Sequence, residues 1–250
     1  MLALSTHALA SDVLDTIARV KRSVVAVGTF ERARSPEFEF RGTGFAVGTG
    51  STIATNAHVL RAKLNDTGRE VLAVLLPGAT PDTAQVRVVK ESALDEGSDL
   101  ALLELAGEPL PPLGLHDSAS VREGQQVLIT GFPLGAVLGA FPVTHRGMIS
   151  AITPIAIPQA RAAQLDAAVI RRLGSGSFTV FQLDATAYPG NSGSPLYDPI
   201  TGEVFGIVNM VFVKGTKESV LTQPSGITYA IPASHLKALL DTRQASAAKR

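Results

Sequence analysis

The sequence predicts an all-β fold of the sandwich or barrel type, and three observations carry that prediction. Short segments rich in β-branched, aromatic and other apolar residues recur along the chain, from "SVVAVGTF" at Ser23 to "GITYAIP" ending at Pro232. Gly, Pro, Asp and Ser separate them, which is the punctuation of hairpins and turns. Helical periodicity is confined to the two ends and one internal stretch.

Taken in order, "SDVLDTIARVKRS" offers Ser11 as an N-cap and sets Leu14, Ile17 and Val20 at helical spacing, predicting a short amphipathic helix. The strand-like segments follow as "SVVAVGTF", "FEFRGTGFAVG", "VLAVLL", "AQVRVV", "DLALLEL", "QVLITGF" and "THRGMISAI", then "FTVFQL", "EVFGIVNMVFV" and "GITYAIP". Between Ile152 and Phe178, "PQARAAQLDAAVIRRLGSGS" repeats Leu165, Val169 and Leu173 before Gly174, which predicts a helical insertion. A last helix over Ala233 to Leu240 follows Pro232, and "DTRQASAAKR" reads as a frayed tail. The expected organisation is an N-terminal segment and helix over residues 1–22, one domain over 23–241 and a tail over 242–250. The domain divides into two packed β halves at about 115–125.

Composition narrows the function classes. Hydrophobic residues make up 45% and charged residues 18%, enough apolar material for a large core. The 22 basic residues balance the 22 acidic ones, so no net charge draws the chain to nucleic acid or anionic lipid, and no nucleic-acid partner is expected. The absence of cysteine removes disulfides, thiolate nucleophiles and Cys-ligated zinc. His7, His116, His145 and His235 stand in separate contexts without ligand spacing, so neither a metal nor another cofactor is expected. No apolar run is long enough for a membrane span. The opening "MLALSTHALA" lacks a basic n-region and a full apolar core, so a signal peptide is not expected, and the compartment stays open between cytoplasmic and periplasmic or secreted.

With cysteine absent, the nucleophile to look for is a serine, which needs a base for its proton and a third group to orient that base. "TNAHVL" sets His58 just beyond the strand-like "STIAT", and "EGSDLALLEL" sets Asp99 at the mouth of an apolar strand. "PGNSGSP" holds Ser192 between Gly190 and Gly193, in a turn tight enough to expose backbone amides. Each piece has an ordinary explanation: a structural histidine, a strand-edge cap and a turn. Together they fall in the order His, Asp, Ser along an all-β chain, one of the known orders of a serine triad, and the Ser-first order of the α/β-hydrolases is excluded.

"TNAHVL", "SDLALLEL", "GNSGSPL" and "SGITYAIP" resemble the signature segments of chymotrypsin-fold serine proteases of the HtrA (Deg) type, and the similarity runs from about Val24 to Leu240. The resemblance implies a double six-stranded β-barrel with an N-terminal helix, a helical insertion and a C-terminal helix. It implies Ser192 as nucleophile, His58 as general base and then acid, and Asp99 as the group that fixes the imidazole. The amides of Gly190 and Ser192 would form the oxyanion hole. Protein or peptide substrates would add a strand against "FGIVNMV", with Asn209, Met210 and Val211 on one wall and Gly226 and Ile227 on the other. Thr186 stands where an acidic residue would select Lys or Arg, which implies cleavage after Ala, Val, Leu or similar residues. Asn191, an amide, cannot pair with a newly cut N-terminus, so N-terminal cleavage is not expected to be the switch. A homotrimer is implied by analogy.

Two departures accompany the resemblance. Ser194 stands where the family has a second glycine, and a positive φ there would cost about 1–2 kcal/mol. With 18 residues after Pro232, no PDZ domain is expected. A silent peptide-binding module of the same fold and an esterase using the same three residues are the alternatives.

Overall fold

A computed structural model describes residues 4–61, 64, 69–78, 83–133, 135, 141–154, 179–209 and 227–247. Helix α1 (Leu4–Lys21) leads into β1 (Val24–Phe30), β2 (Phe38–Val47), β3 (Thr52–Asn56) and the single turn α2 (Ala57–Leu60). Next come β4 (Val71–Leu76), β5 (Gln85–Asp95) and β6 (Leu100–Leu105). A 3₁₀ turn (Ser118–Ser120) precedes β7 (Gln126–Gly131), β8 (Val143–Pro154), β9 (Thr179–Asp184), β10 (Pro195–Tyr197), β11 (Val204–Asn209) and β12 (Ile227–Pro232). Helix α3 (Ala233–Ala247) ends the described chain.

The strands close into two antiparallel six-stranded barrels, ordered β1-β2-β3-β6-β5-β4 and β10-β11-β12-β9-β8-β7, the expected double barrel. Period-2 alternation explains how one set of strands serves two cores. Val25, Val27, Ala46, Ile53, Leu103 and Leu105 fill the first barrel. Their alternates Val24, Ala26, Phe45, Val47, Ala54 and Leu102 join Leu128, Phe132, Tyr197 and Ile207 in a layer between the barrels.

The helices differ from expectation. α1 starts at Leu4, so Ser11 lies inside it rather than at its cap; the Leu- and Ala-rich upstream residues are strong helix formers. The face α1 packs on the core carries Val13, Ile17 and Val20, while Leu14 is 68% exposed. Thr16 Oγ1 donates to Ile200 O (2.7 Å) and Arg19 Nη2 to Thr201 O (2.6 Å), which fixes α1 against the second barrel. α3 continues to Ala247 instead of fraying after Leu240, since "TRQASA" holds no helix breaker. The insertion over residues 158–177 lies outside the described residues.

Candidate active site

His58 and Asp99 meet because β3 and β6 are neighbours. Asn56, the last residue of β3, is paired with Leu100, the first of β6, so the residues just beyond them share one end of the first barrel. Asn56 Nδ2 and the Ala57 N–H both donate to Asp99 O (3.1 and 3.0 Å), which ties the two segments together. The His58 backbone N–H then donates to Asp99 Oδ1 (2.9 Å), and the ring Nδ1 lies 2.7 Å from Oδ2.

Asp99 carries φ +58°, the only positive φ outside glycine among the described residues. Aspartate tolerates that region better than bulkier side chains because its short carboxylate hydrogen-bonds locally. Its side chain is 1% exposed against 22% for the imidazole, so the carboxylate is shielded and the ring remains reachable. An acceptor-only carboxylate on Nδ1 requires Nδ1–H, which places the lone pair of the neutral ring on Nε2. Asn209 Nδ2 adds a third donor, 2.8 Å from Asp99 Oδ2, reaching across from the end of β11 in the other barrel. Sequence reasoning placed Asn209 on the substrate wall and missed this side-chain role; its position at the end of an apolar strand was the only signal.

The Ser192 turn is clamped by main-chain bonds. Thr43 N donates to Ser192 O (2.8 Å), Gly193 N to Val208 O (2.9 Å) and Val208 N to Ser194 O (2.9 Å), suspending the turn between β2 and β11. Glycine is required at two points. Gly190 has φ +102°, and a Cβ there would lie 2.3 Å from Phe132 O; Gly193 has φ +86°, and a Cβ there would lie 2.0 Å from Thr43 O. Within the turn, Asn191 N and Ser194 N donate to Tyr188 O and Asn191 O (both 3.0 Å). Among the described residues the N–H groups of Gly190 and Ser192 enter no such bond and are left as donors.

Ser192 lies beside α2. A Cβ on Gly42 would come within 2.7 Å of Val59 Cγ2 and 3.0 Å of Ser192 O, so the residue next to His58 and the serine turn close on the same glycine. No hydrogen bond joins Ser192 Oγ to the imidazole among the described residues; such bonds are often long in the free protein and tighten around substrate.

Ser194 is not strained, since its φ is not positive. The space it needs comes from Gly131, whose Cβ position would lie 2.0 Å from Ser194 Oγ. Asn191 is fully buried and its side chain has no hydrogen-bond partner among the described residues, a place where an ionised aspartate would require a cation. Thr186 is exposed after β9, and Ile227 opens β12 opposite Asp184. Met210, Val211 and Gly226 lie outside the described residues.

Two closed barrels with a histidine–carboxylate pair at one end and a glycine-framed serine turn beside it define the chymotrypsin-like class. The chain belongs to the trypsin-like peptidase domain family, which matches residues 42–207 and so encloses His58, Asp99 and Ser192. It is 32% identical over 208 residues to a probable periplasmic serine endoprotease DegP-like from Halomonas elongata, covering 80% of this chain and 34% of that protein. It is likewise 32% identical over 200 residues to the mitochondrial serine protease HTRA2 of Bos taurus, covering 80% of this chain and 35% of that one. The chain thus spans about a third of the length of these curated relatives. The crystal structure of Deg5 shares the fold with a TM-score of 0.63 at 24% identity, covering 92% of each chain.

Proposed function

We propose that the chain is a serine endopeptidase that hydrolyses peptide bonds through an acyl-enzyme on Ser192. His58 takes the Ser192 proton and later delivers it to the leaving amine, Asp99 holds the ring in its Nδ1–H tautomer, and the Gly190 and Ser192 amides receive the oxyanion. The observation that carries this reading is the double grip of Asp99 on His58, through ring and main chain, which leaves Nε2 as the one free base. Extended substrate adds a strand to the second barrel, and the neutral Thr186 supports cleavage after small or medium apolar residues. The HtrA-type likeness supports a homotrimer. Cleavage-site profiling on a peptide library with a Ser192→Ala control tests the reading: cuts concentrated after Ala, Val or Leu are expected, and cuts after Lys or Arg, or cuts that persist in the control, contradict it.

Asn209 acts as a positioning residue. Removing a hydrogen bond to a buried charge costs roughly 1.5–3 kcal/mol, so Asn209→Ala is expected to lower kcat about 10- to 100-fold with KM nearly unchanged. Asn209→Asp should lose more, because it sets two carboxylates against each other. Equal kcat in all three proteins would remove Asn209 from the mechanism.

Activity is also expected to fall at acid pH, because the general base must be neutral. The profile must be taken on folded protein. Burial lowers the pKa of His145 and His235, so the unfolded state binds more protons at acid pH and stability declines as pH falls through the ordinary histidine range. A flat kcat/KM from about pH 5 to 8 contradicts the role of His58.

A further inference from the structure

A second hydroxyl–imidazole–carboxylate chain is formed by His116 and Ser120, on the segment that joins β6 to β7, with Glu203 just before β11 in the second barrel. His116 Nδ1 is 2.9 Å from Glu203 Oε2, and His116 Nε2 is 2.7 Å from Ser120 Oγ. Glu203 can only accept when ionised, so Nδ1 carries the proton and the neutral ring turns its lone pair toward Ser120. The Ser120 proton has two acceptors within reach, Nε2 and Asp117 O at 2.8 Å. The ring is held in place by an edge-on contact with Phe205 (centroids 4.9 Å apart, 71°) and by the His116 main-chain N–H, which donates to Val204 O (2.9 Å). Ser120 is exposed and the imidazole 30% exposed, so an electrophile from solvent can reach the hydroxyl.

We infer that Ser120 is a second, independent nucleophile, activated by His116 and Glu203, that accepts small acyl groups from esters with acidic leaving groups. Ser120 Oγ attacks the ester carbonyl and gives its proton to His116 Nε2, while Glu203 stabilises the imidazolium. The bond to the leaving oxygen breaks, and the proton passes from His116 to the departing phenolate or alkoxide. The product is an acyl ester on Ser120, which water can hydrolyse by the reverse proton path.

The same geometry limits the reaction. The nearby amides are already committed: Ser120 N to Asp117 O (3.0 Å), Val121 N to Ser118 O (3.4 Å) and Ala119 N to Asp117 Oδ1 (3.1 Å). With these amides engaged and not aimed at an oxyanion, the site handles activated esters and not peptide bonds.

The test uses Ser192→Ala protein with p-nitrophenyl acetate, following p-nitrophenolate release and locating the acetyl group by mass spectrometry. Acetyl on the peptide that carries Ser120 is expected, with release slowed about 100-fold by adding His116→Gln and clearly slowed by adding Glu203→Gln. Adding Ser120→Ala should abolish that acetyl mark, while the same change in the otherwise unaltered chain leaves peptide hydrolysis as it was. Absence of acetyl on Ser120, or acetylation at the same rate in folded His116→Gln and Glu203→Gln variants, overturns the inference. Because the assay is run without the Ser192 hydroxyl, its failure is distinct from a failure of the peptidase reading.

Discussion

Ser192→Ala is expected to lower kcat for peptide hydrolysis by about a millionfold and to leave the fold unchanged. Both halves follow from the surroundings of the residue. The turn is held by its main chain, through Thr43 N, Gly193 N and Val208 N, and among the described residues the Ser192 hydroxyl enters no hydrogen bond that the alanine would forfeit. The missing oxygen therefore removes the nucleophile without releasing the Gly190 and Ser192 amides from position. Residual turnover about a thousandfold or more above water should survive, since the oxyanion donors and substrate contacts remain. Steady-state kinetics paired with thermal unfolding checks this: a large loss of kcat at unchanged Tm is expected, whereas a loss matched by a fall in Tm would show that Ser192 supports the turn and not the chemistry.

Asp99→Asn should lower kcat about ten-thousandfold in a protein that still folds. Asp99 accepts from the His58 main chain, the His58 ring and Asn209, all donors. An amide can offer only one oxygen to them, so its NH2 must oppose a donor or force the ring into the other tautomer, with the proton on Nε2 where the base lone pair is needed. Asparagine tolerates φ +58° about as well as aspartate, so the backbone is not disturbed. Kinetics and unfolding measured on one preparation separate these effects. Full activity in a folded Asp99→Asn protein would contradict the tautomer argument.

Much of this site was legible in the sequence, for identifiable physical reasons. "STIAT" and "DLALLEL" are short, strand-like segments, the second a nearly continuous apolar run, so residues just beyond them lie at strand ends, and the pairing of Asn56 with Leu100 is what brings His58 to Asp99. β10 was hidden because three residues headed by Pro195 read as the end of a turn, although Leu196 and Tyr197 pair with Ile129 and Leu128 in the second barrel. The role of Asn209 depends on a contact between barrels across 110 residues, which no local pattern encodes. Ser194 looked strained because its partner, the empty side of Gly131, lies on another strand. The exchange of Val13 for Leu14 on the core face of α1 has the same origin: spacing fixes the period of a helix, and only the packed barrel fixes its phase.

The central claim is that His58, Asp99 and Ser192 act as one unit. The most direct measurement compares kcat for Ser192→Ala, His58→Ala and the variant lacking all three groups, on one peptide substrate. A unit predicts that either single change already costs nearly as much as removing all three, with a common residual rate set by the oxyanion donors and binding. Losses that multiply from one variant to the next would contradict it, because they would mean that the three side chains contribute independently.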